Sequence, residues 1–385
     1  MSLSSEPETQ CESLGWDQVL GWRVGRQRLA SPAGTPVEVT SALAGVQAQV
    51  ASSAHQVLAV RSGSPGGIDV ERLLWTDRVL VKTWAMRGTL HLLPAAEWPE
   101  WVALLSTREW RITPAWVKYH GVTAEELDEV TAAVPEALAG GPLTRDELAD
   151  RVAELTGHAH LSEQLRSGWT AVFKPAAARG LLCQGPPRDG NITFVDPARW
   201  LGRQATRAAR DPEKAIATVL SRCLDAYGPA TVQDVARWLG VQPKPARLLL
   251  AGHADSLVQV ELAGQKAWLT PDGAAAIADA APADGVWLLP GFDPYVLAPI
   301  SHRAEIIPAG KVDAVSRAAG WISPVLLVDG RIAGTWEPST AAGVTTVTLT
   351  PFAKLPKRVV TAAHAHLEAR YTPVFGDKVR LTVAA

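Results

Sequence analysis

Apolar positions in this chain come in short bursts, and the period of each burst names an element. Leu14, Val19 and Leu20 open the stretch 15–29, whose spacing predicts a helix. The Pro- and Gly-rich loop 31–36 separates it from a second helix, which Thr40 or Ser41 is placed to cap with Leu43 and Val46 on its buried face. Ser53, followed three residues later by Gln56, has the form of a capping box, so a third helix is expected from there through Val57, Leu58 and Arg61. After the loop 62–67, Asp69 is placed to cap a short helix reaching Trp75. The stretch 80–93 follows, and its second half alternates like a hairpin around Arg87-Gly88.

The same order, helices and then a hairpin, recurs twice. Thr144 and Glu147 form a capping box ahead of a helix over 145–155, a longer helix is expected over 163–179, and strands 181–184 and 191–195 flank a turn. The third round has a helix from Pro212 to Tyr227, a Thr231–Asp234 box opening a helix over 232–239, another over 243–251, and a hairpin of 257–262 with 265–269. From Gly285 the pattern changes. Strands are expected at 286–289, 322–328, 331–337, 344–349 and 379–383, with Asp329-Gly330 as a hairpin turn and a helix over 356–370. The chain therefore reads as α+β: three tandem winged-helix modules (14–140, 141–211, 212–284) and a C-terminal α/β module (285–385), behind a disordered 1–13.

Composition narrows the picture. The 385 residues are 47% hydrophobic and 20% charged with a formal net charge of −2, and no apolar run is long enough to cross a membrane. The beginning of the chain is polar and acidic, so no signal peptide is expected. Cys11, Cys183 and Cys223 are odd in number and far apart, which points to a reducing compartment, the cytoplasm. Charge is uneven along the chain. Arg166, Lys174, Arg179, Arg188, Arg199, Arg203, Arg207 and Arg210 are opposed locally only by Asp189 and Asp196, and Lys354–Arg380 is a second basic stretch. Such a run fits either a phosphate backbone or a solvated basic face.

Familiar chemical motifs are missing. His158-x-His160 and His364-x-His366 lack an HExxH or CxxC partner, so no metal site is expected. There is no Walker loop, G-x-G-x-x-G or G-x-S-x-G, and no cofactor is expected. Asp293 in GFDP reads as a turn-former, and His91 beside Arg87 reads equally as a structural histidine or a group at DNA. One segment stands apart: Gln47-Ala48-Gln49 lies in small and apolar residues with no titratable group between Val39 and Ala54. On a regular helix these amides would point about 200° apart and face solvent separately. At a break between two helices they can converge.

Four segments in order, VQAQ at 46–49, WAMRGTLHLLP at 84–94, LLPGFDPYVLAP at 288–299 and SPVLLVDGRIAGTW at 323–336, resemble the winged-helix DNA glycosylase family typified by AlkZ, over residues 15–383. The resemblance implies a C-shaped array of winged helices that removes alkylated purines, including cross-linked adducts of a genotoxic natural product. It also implies a catalytic Gln-hydrophobic-Gln signature, here Gln47 and Gln49. Glutamine rather than aspartate at 49 places the chain with the cross-link-unhooking, self-resistance branch. The expected partner is double-stranded DNA carrying alkylated or cross-linked purines, met by a monomer at the nucleoid. Arg61, Arg87, His91, Arg166, Lys174, Arg179, Arg188, Arg203 and Arg331 are the expected DNA contacts, with hairpin 326–336 or 257–269 probing the minor groove. The alternative is a non-catalytic winged-helix protein, a regulator or a toxin-sequestering binder, although no dimerising heptad is present.

Overall fold

Capping chemistry explains most helix starts. In the computed structural model, which describes residues 13–166, 171–202, 209, 211–297 and 303–384, the Thr144/Glu147 box opens helix Arg145–Thr156 and the Thr231/Asp234 box opens Val232–Leu239. The expected disorder of 1–12 lies outside the described residues. Asp69 accepts from the Arg72 N–H at 2.9 Å ahead of the turn Arg72–Thr76, as its side chain suggests.

Two helix starts differ from expectation. The second helix is Pro36–Ala42, opened by a Thr35/Glu38 capping box, and Thr40 instead donates its hydroxyl to the Pro36 carbonyl at 2.8 Å. Proline at the first helical position favours the earlier start. The third helix, Ala51–Arg61, begins at Val50 without a side-chain cap, and Ser53 is buried inside its first turn. Residues 167–170 of the expected helix over 163–179 lie outside the described residues; before them stands helix His160–Arg166, and after them a single turn Ala171–Phe173 precedes a separate helix Lys174–Ala178, where Pro175 at the helix start cannot continue a ladder from before.

Among the described residues there are four sheets. Val46–Gln47 pairs with Leu90–Pro94, which pairs with Leu80–Trp84. Leu143–Thr144, Asn191–Val195 and Cys183–Arg188 form a second set of three. In the third, Ser13–Leu14 lies parallel to Val258–Leu262, which pairs with Gln265–Leu269. The fourth has five strands in the order Val286–Leu289, Val325–Val328, Arg331–Ala341, Val344–Pro351 and Val379–Val383. Only its last pairing is parallel, and helix Lys357–Phe375 supplies the crossover that a parallel neighbour requires. Asp329 and Gly330 have φ of 51° and 80°, the positive pair that a two-residue hairpin needs.

The cores run across these groups. One joins Leu20, Val24, Leu29 and Val60 to the five-stranded sheet around Trp336 and Tyr371. Another packs Met86, Trp98 and Trp101 against Cys183 and Val195 and against Val219, Tyr227 and Trp238. The hairpin 80–94 is thus held by helices from distant parts of the chain. No helix among the described residues is long and apolar enough to cross a membrane.

Candidate active site

The Gln47-Ala48-Gln49 triplet starts on an edge strand rather than at a helix end, with Gln49 at the bend that follows. After Ala42 the chain passes through Ala44 and Gly45, with φ of 47° and 91°, and enters the strand Val46–Gln47. Gly45 is needed there: a Cβ would sit 2.8 Å from the Met86 Cε and 2.9 Å from a Leu93 methyl. Val46 lies opposite Leu92 and Gln47 opposite His91, and the Ala48 N–H continues the ladder to the Leu90 carbonyl at 2.7 Å. Extended backbone puts residues i and i+2 on the same side. That geometry, more than a mere break in a helix, brings both amides to one hairpin.

Their environments differ. Gln47 is 7% exposed, and its Oε1 accepts from an Arg87 Nη2–H at 2.8 Å. Gln49 is exposed, and its Oε1 accepts from the Leu90 N–H at 3.3 Å. A narrow cleft of about 10 Å³, room for about one water molecule, is lined by Gln47, Arg87, His91, Tyr227, Trp238 and Leu297 among others; Gln49 is not part of that lining.

Arg87 organises the cleft. It has φ of 56° in the tight turn Met86–Gly88, and helix Val232–Leu239 ends on Gly240, where a Cβ would lie 2.7 Å from the Arg87 Cα. Burial pulls the guanidinium down to about 10, so it remains a cation at neutral pH. The same Nη2 lies 3.3 Å from His91 Nε2, while His91 Nδ1 is 2.9 Å from the Thr89 carbonyl. The compatible tautomer carries its proton on Nδ1 and accepts at Nε2. Burial first, and the Arg87 charge second, push His91 down to about 3, so it is neutral under ordinary conditions. Arg87 thus has an amide and an imidazole as its side-chain partners.

The sequence matches the AlkZ-like DNA glycosylase family over residues 40–372. It is similar to an interstrand DNA cross-link repair glycosylase of Streptomyces sahachiroi, 40% identical over 374 residues, covering 95% of this chain and 99% of that protein. The fold is similar to the structure of the Streptomyces sahachiroi DNA glycosylase AlkZ, with a TM-score of 0.87 and 37% identity over 97% of this chain and all of that one. This chain belongs to the AlkZ-like DNA glycosylase family. It is an enzyme that hydrolyses N-glycosyl bonds in DNA, which sets aside the non-catalytic alternative.

Within this AlkZ-like protein the expected DNA contacts sort by burial. Arg61 has no exposed surface. Its guanidinium grips Asp293 at 2.8 and 2.7 Å and also donates to the Gln27 carbonyl at 3.0 Å, so it is withdrawn from the DNA contacts. Asp293 does form the turn, accepting from the Tyr295 N–H at 2.9 Å, and it is also the counter-ion of Arg61. His91, 2% exposed, lies opposite Gln47 on the neighbouring strand and lines the cleft beside Arg87, too buried to meet DNA directly. Arg166, Arg179 and Arg188 are exposed but paired with Asp150, Asp128 and Glu147, and Arg331 with Asp17 at 2.8 Å. Arg203 lies outside the described residues.

Lys174 reaches the hairpin tip, with its Nζ 3.5 Å from where a Gly88 Cβ would be and Arg108 beside it. Burial and Arg108 lower the Lys174 ammonium. Arg237 is close enough to Arg87 to oppose its charge, and Arg303 does the same to Arg237. Sequence reading missed Arg108, Arg237 and Arg303, because each stands alone in the chain and only folding gathers them.

Proposed function

We propose that this glycosylase removes cationic alkylated purines of the N7-alkylguanine type from double-stranded DNA, including bulky or cross-linked adducts of a genotoxic natural product, and does so without a cofactor. The observation that carries this reading is the convergence of two uncharged amides, Gln47 and Gln49, on one hairpin beside a cationic cleft. The name of its Streptomyces sahachiroi relative, an interstrand cross-link repair glycosylase, supports the substrate class.

The chemistry fits amides. Unmodified glycosides generally need an acid at the leaving group and a carboxylate at the sugar. An N7-alkylated purine already carries positive charge. Its glycosidic bond breaks with the electron pair going to the base, which leaves neutral, and water adds to C1′ with loss of a proton. Gln49, exposed at the rim, holds that water through its carbonyl oxygen. Gln47, whose oxygen is turned toward Arg87, retains a second lone pair for the sugar side. Selectivity follows, since amides too weak to expel a normal purine spare undamaged DNA.

In this reading the helix and hairpin groups act as winged helices arranged in a C, working as a monomer at the cytoplasmic nucleoid. Arg87 and Lys174 meet phosphates next to the lesion. Arg166, Arg179, Arg188 and Arg331 meet them farther out, and hairpin 326–336 or 257–269 reaches the minor groove. An open surface suits adducts too large for a flipped-base pocket.

The test is excision of N7-methylguanine from a duplex, read as alkali-sensitive breaks, and unhooking of a cross-linked duplex on denaturing gels. Gln47→Ala and Gln49→Ala should each lower the single-turnover rate about 10²-fold while DNA affinity holds. Full excision by either variant would remove that glutamine from the mechanism.

A further inference from the structure

Outside the cleft, two histidines and two glutamates meet where sequence reading expected nothing. Helix Ala124–Ala137 presents Glu126 and Glu129 toward the turn that follows helix Arg145–Thr156. His158 Nε2 lies 2.7 Å from Glu129 Oε2, and His160 Nε2 lies 2.9 Å from Glu126 Oε1. The two imidazole rings stand edge to face at 5.9 Å. Ligand atoms of Glu126, His158 and His160 all fall within 4.8 Å of one another. We propose that these three side chains form a binding site for a divalent transition ion of the zinc class, with Glu129 or water in the fourth position.

Three features favour an ion over two separate ion pairs. Donor atoms at 2.0–2.2 Å from a tetrahedral zinc stand roughly 3.4 Å apart, so the observed cluster needs side-chain shifts of only about 1 Å. Glu126 is already aimed: its Oε2 accepts from the Thr123 N–H at 2.8 Å in a capping box, which leaves Oε1 for the ion, and its side chain is only 16% exposed. Finally, the donor set mixes imidazole with carboxylate, which suits zinc and its neighbours and disfavours magnesium or calcium, whose preference is for oxygen alone. Bound there, the ion would tie helix Ala124–Ala137 to the start of helix His160–Arg166.

The experiment uses the full chain without an affinity tag, stripped with chelator and titrated with Zn²⁺, and separately with Mg²⁺, against a competing indicator. One equivalent of Zn²⁺ should bind at micromolar or lower concentration with no response to Mg²⁺. His158→Ala, His160→Ala and Glu126→Gln should each weaken it at least about ten-fold, glutamine being chosen because its carbonyl can still serve the cap. His364→Ala should bind as the parent does. The proposal is overturned if the parent chain takes up no Zn²⁺ below about 100 µM, or if the double variant H158A/H160A binds as tightly as the parent.

Discussion

Two sets of cations in this molecule look alike as residue types and differ in what surrounds them. Arg166, Arg179 and Arg188 come close together in sequence, yet each lies against a carboxylate from the helices Ala124–Ala137 or Arg145–Thr156. Arg87, Arg108, Lys174, Arg237 and Arg303 are scattered over more than two hundred residues, and among the described residues none of the five is in an ion pair with a carboxylate. Among the described residues, the run that looks basic in the sequence is compensated in space except at Lys174, and the uncompensated charge gathers around the hairpin tip that carries Arg87. A phosphate backbone is drawn to the second set first, because no counter-ion has to be displaced there. Phosphates seated there would also quench a field otherwise hostile to a cationic base and an oxocarbenium-like sugar.

Arg61 offers the sharpest break of the comparison, being neither paired at the surface nor free at the cleft. With both partners fully buried, Arg61→Met leaves the Asp293 carboxylate uncompensated and should cost about 3–5 kcal/mol in urea unfolding. The double variant Arg61→Met with Asp293→Leu should regain much of that loss. If Arg61→Met unfolds like the parent but loses DNA affinity, the burial argument is wrong and the residue returns to the DNA contacts.

His91 extends the comparison to pH. Its folded value of about 3 lies below the ordinary 6.5, so the unfolded chain binds the extra proton between those limits. Stability from keeping it neutral is complete above pH 6.5 and is lost as pH falls toward 3, about 2 kcal/mol by pH 5 for this one group. Urea midpoints at pH 5 and 7.5 should therefore differ more for the parent than for His91→Gln. An equal drop in both chains would show that the proton is not excluded from the Arg87 neighbourhood.

What was legible in the sequence is what neighbouring residues decide. The Thr144 and Thr231 caps and the Asp329-Gly330 turn are local devices, and each stands where the chain spells it. The Gln triplet was found for the same reason, a polar pair in an apolar stretch. Its strand geometry was not, because two residues form a strand only when Leu90–Pro94 lies alongside. The Arg61–Asp293 pair, the carboxylates facing the basic run, and Glu126 beside His158 and His160 are all brought together by tertiary packing. No local count of charge or spacing could reach them. The longer helix over 163–179 failed on a local signal that was present, Pro175.

Within the cleft the comparison becomes a rate. Arg87 fixes the Gln47 oxygen and, in the proposed reading, meets a phosphate, so Arg87→Ala should lower kcat/KM for N7-methylguanine excision about 10- to 30-fold, with part of the loss in kcat. Arg87→Lys retains charge without the planar fork, and should recover binding more than kcat. A loss confined to KM would leave Arg87 as a phosphate contact only, with no part in holding Gln47.

The smallest effects belong to the compensated set, and they test the comparison most directly. Arg166→Ala, Arg179→Ala and Arg188→Ala each remove an exposed, solvent-screened ion pair, so stability should change little. Their excision rates should stay within about two-fold of the parent. The salt dependence of binding is more discriminating. A free cation that meets a phosphate contributes about 0.9 to the slope of log K against log salt, so Lys174→Ala should reduce the slope by nearly that amount. An arginine that must first leave its carboxylate frees an anion as it neutralises one, and its removal should change the slope by clearly less. If Arg188→Ala and Lys174→Ala flatten the slope equally, the carboxylates facing these arginines do not hold them back from DNA. The distinction between the two sets of cations then disappears.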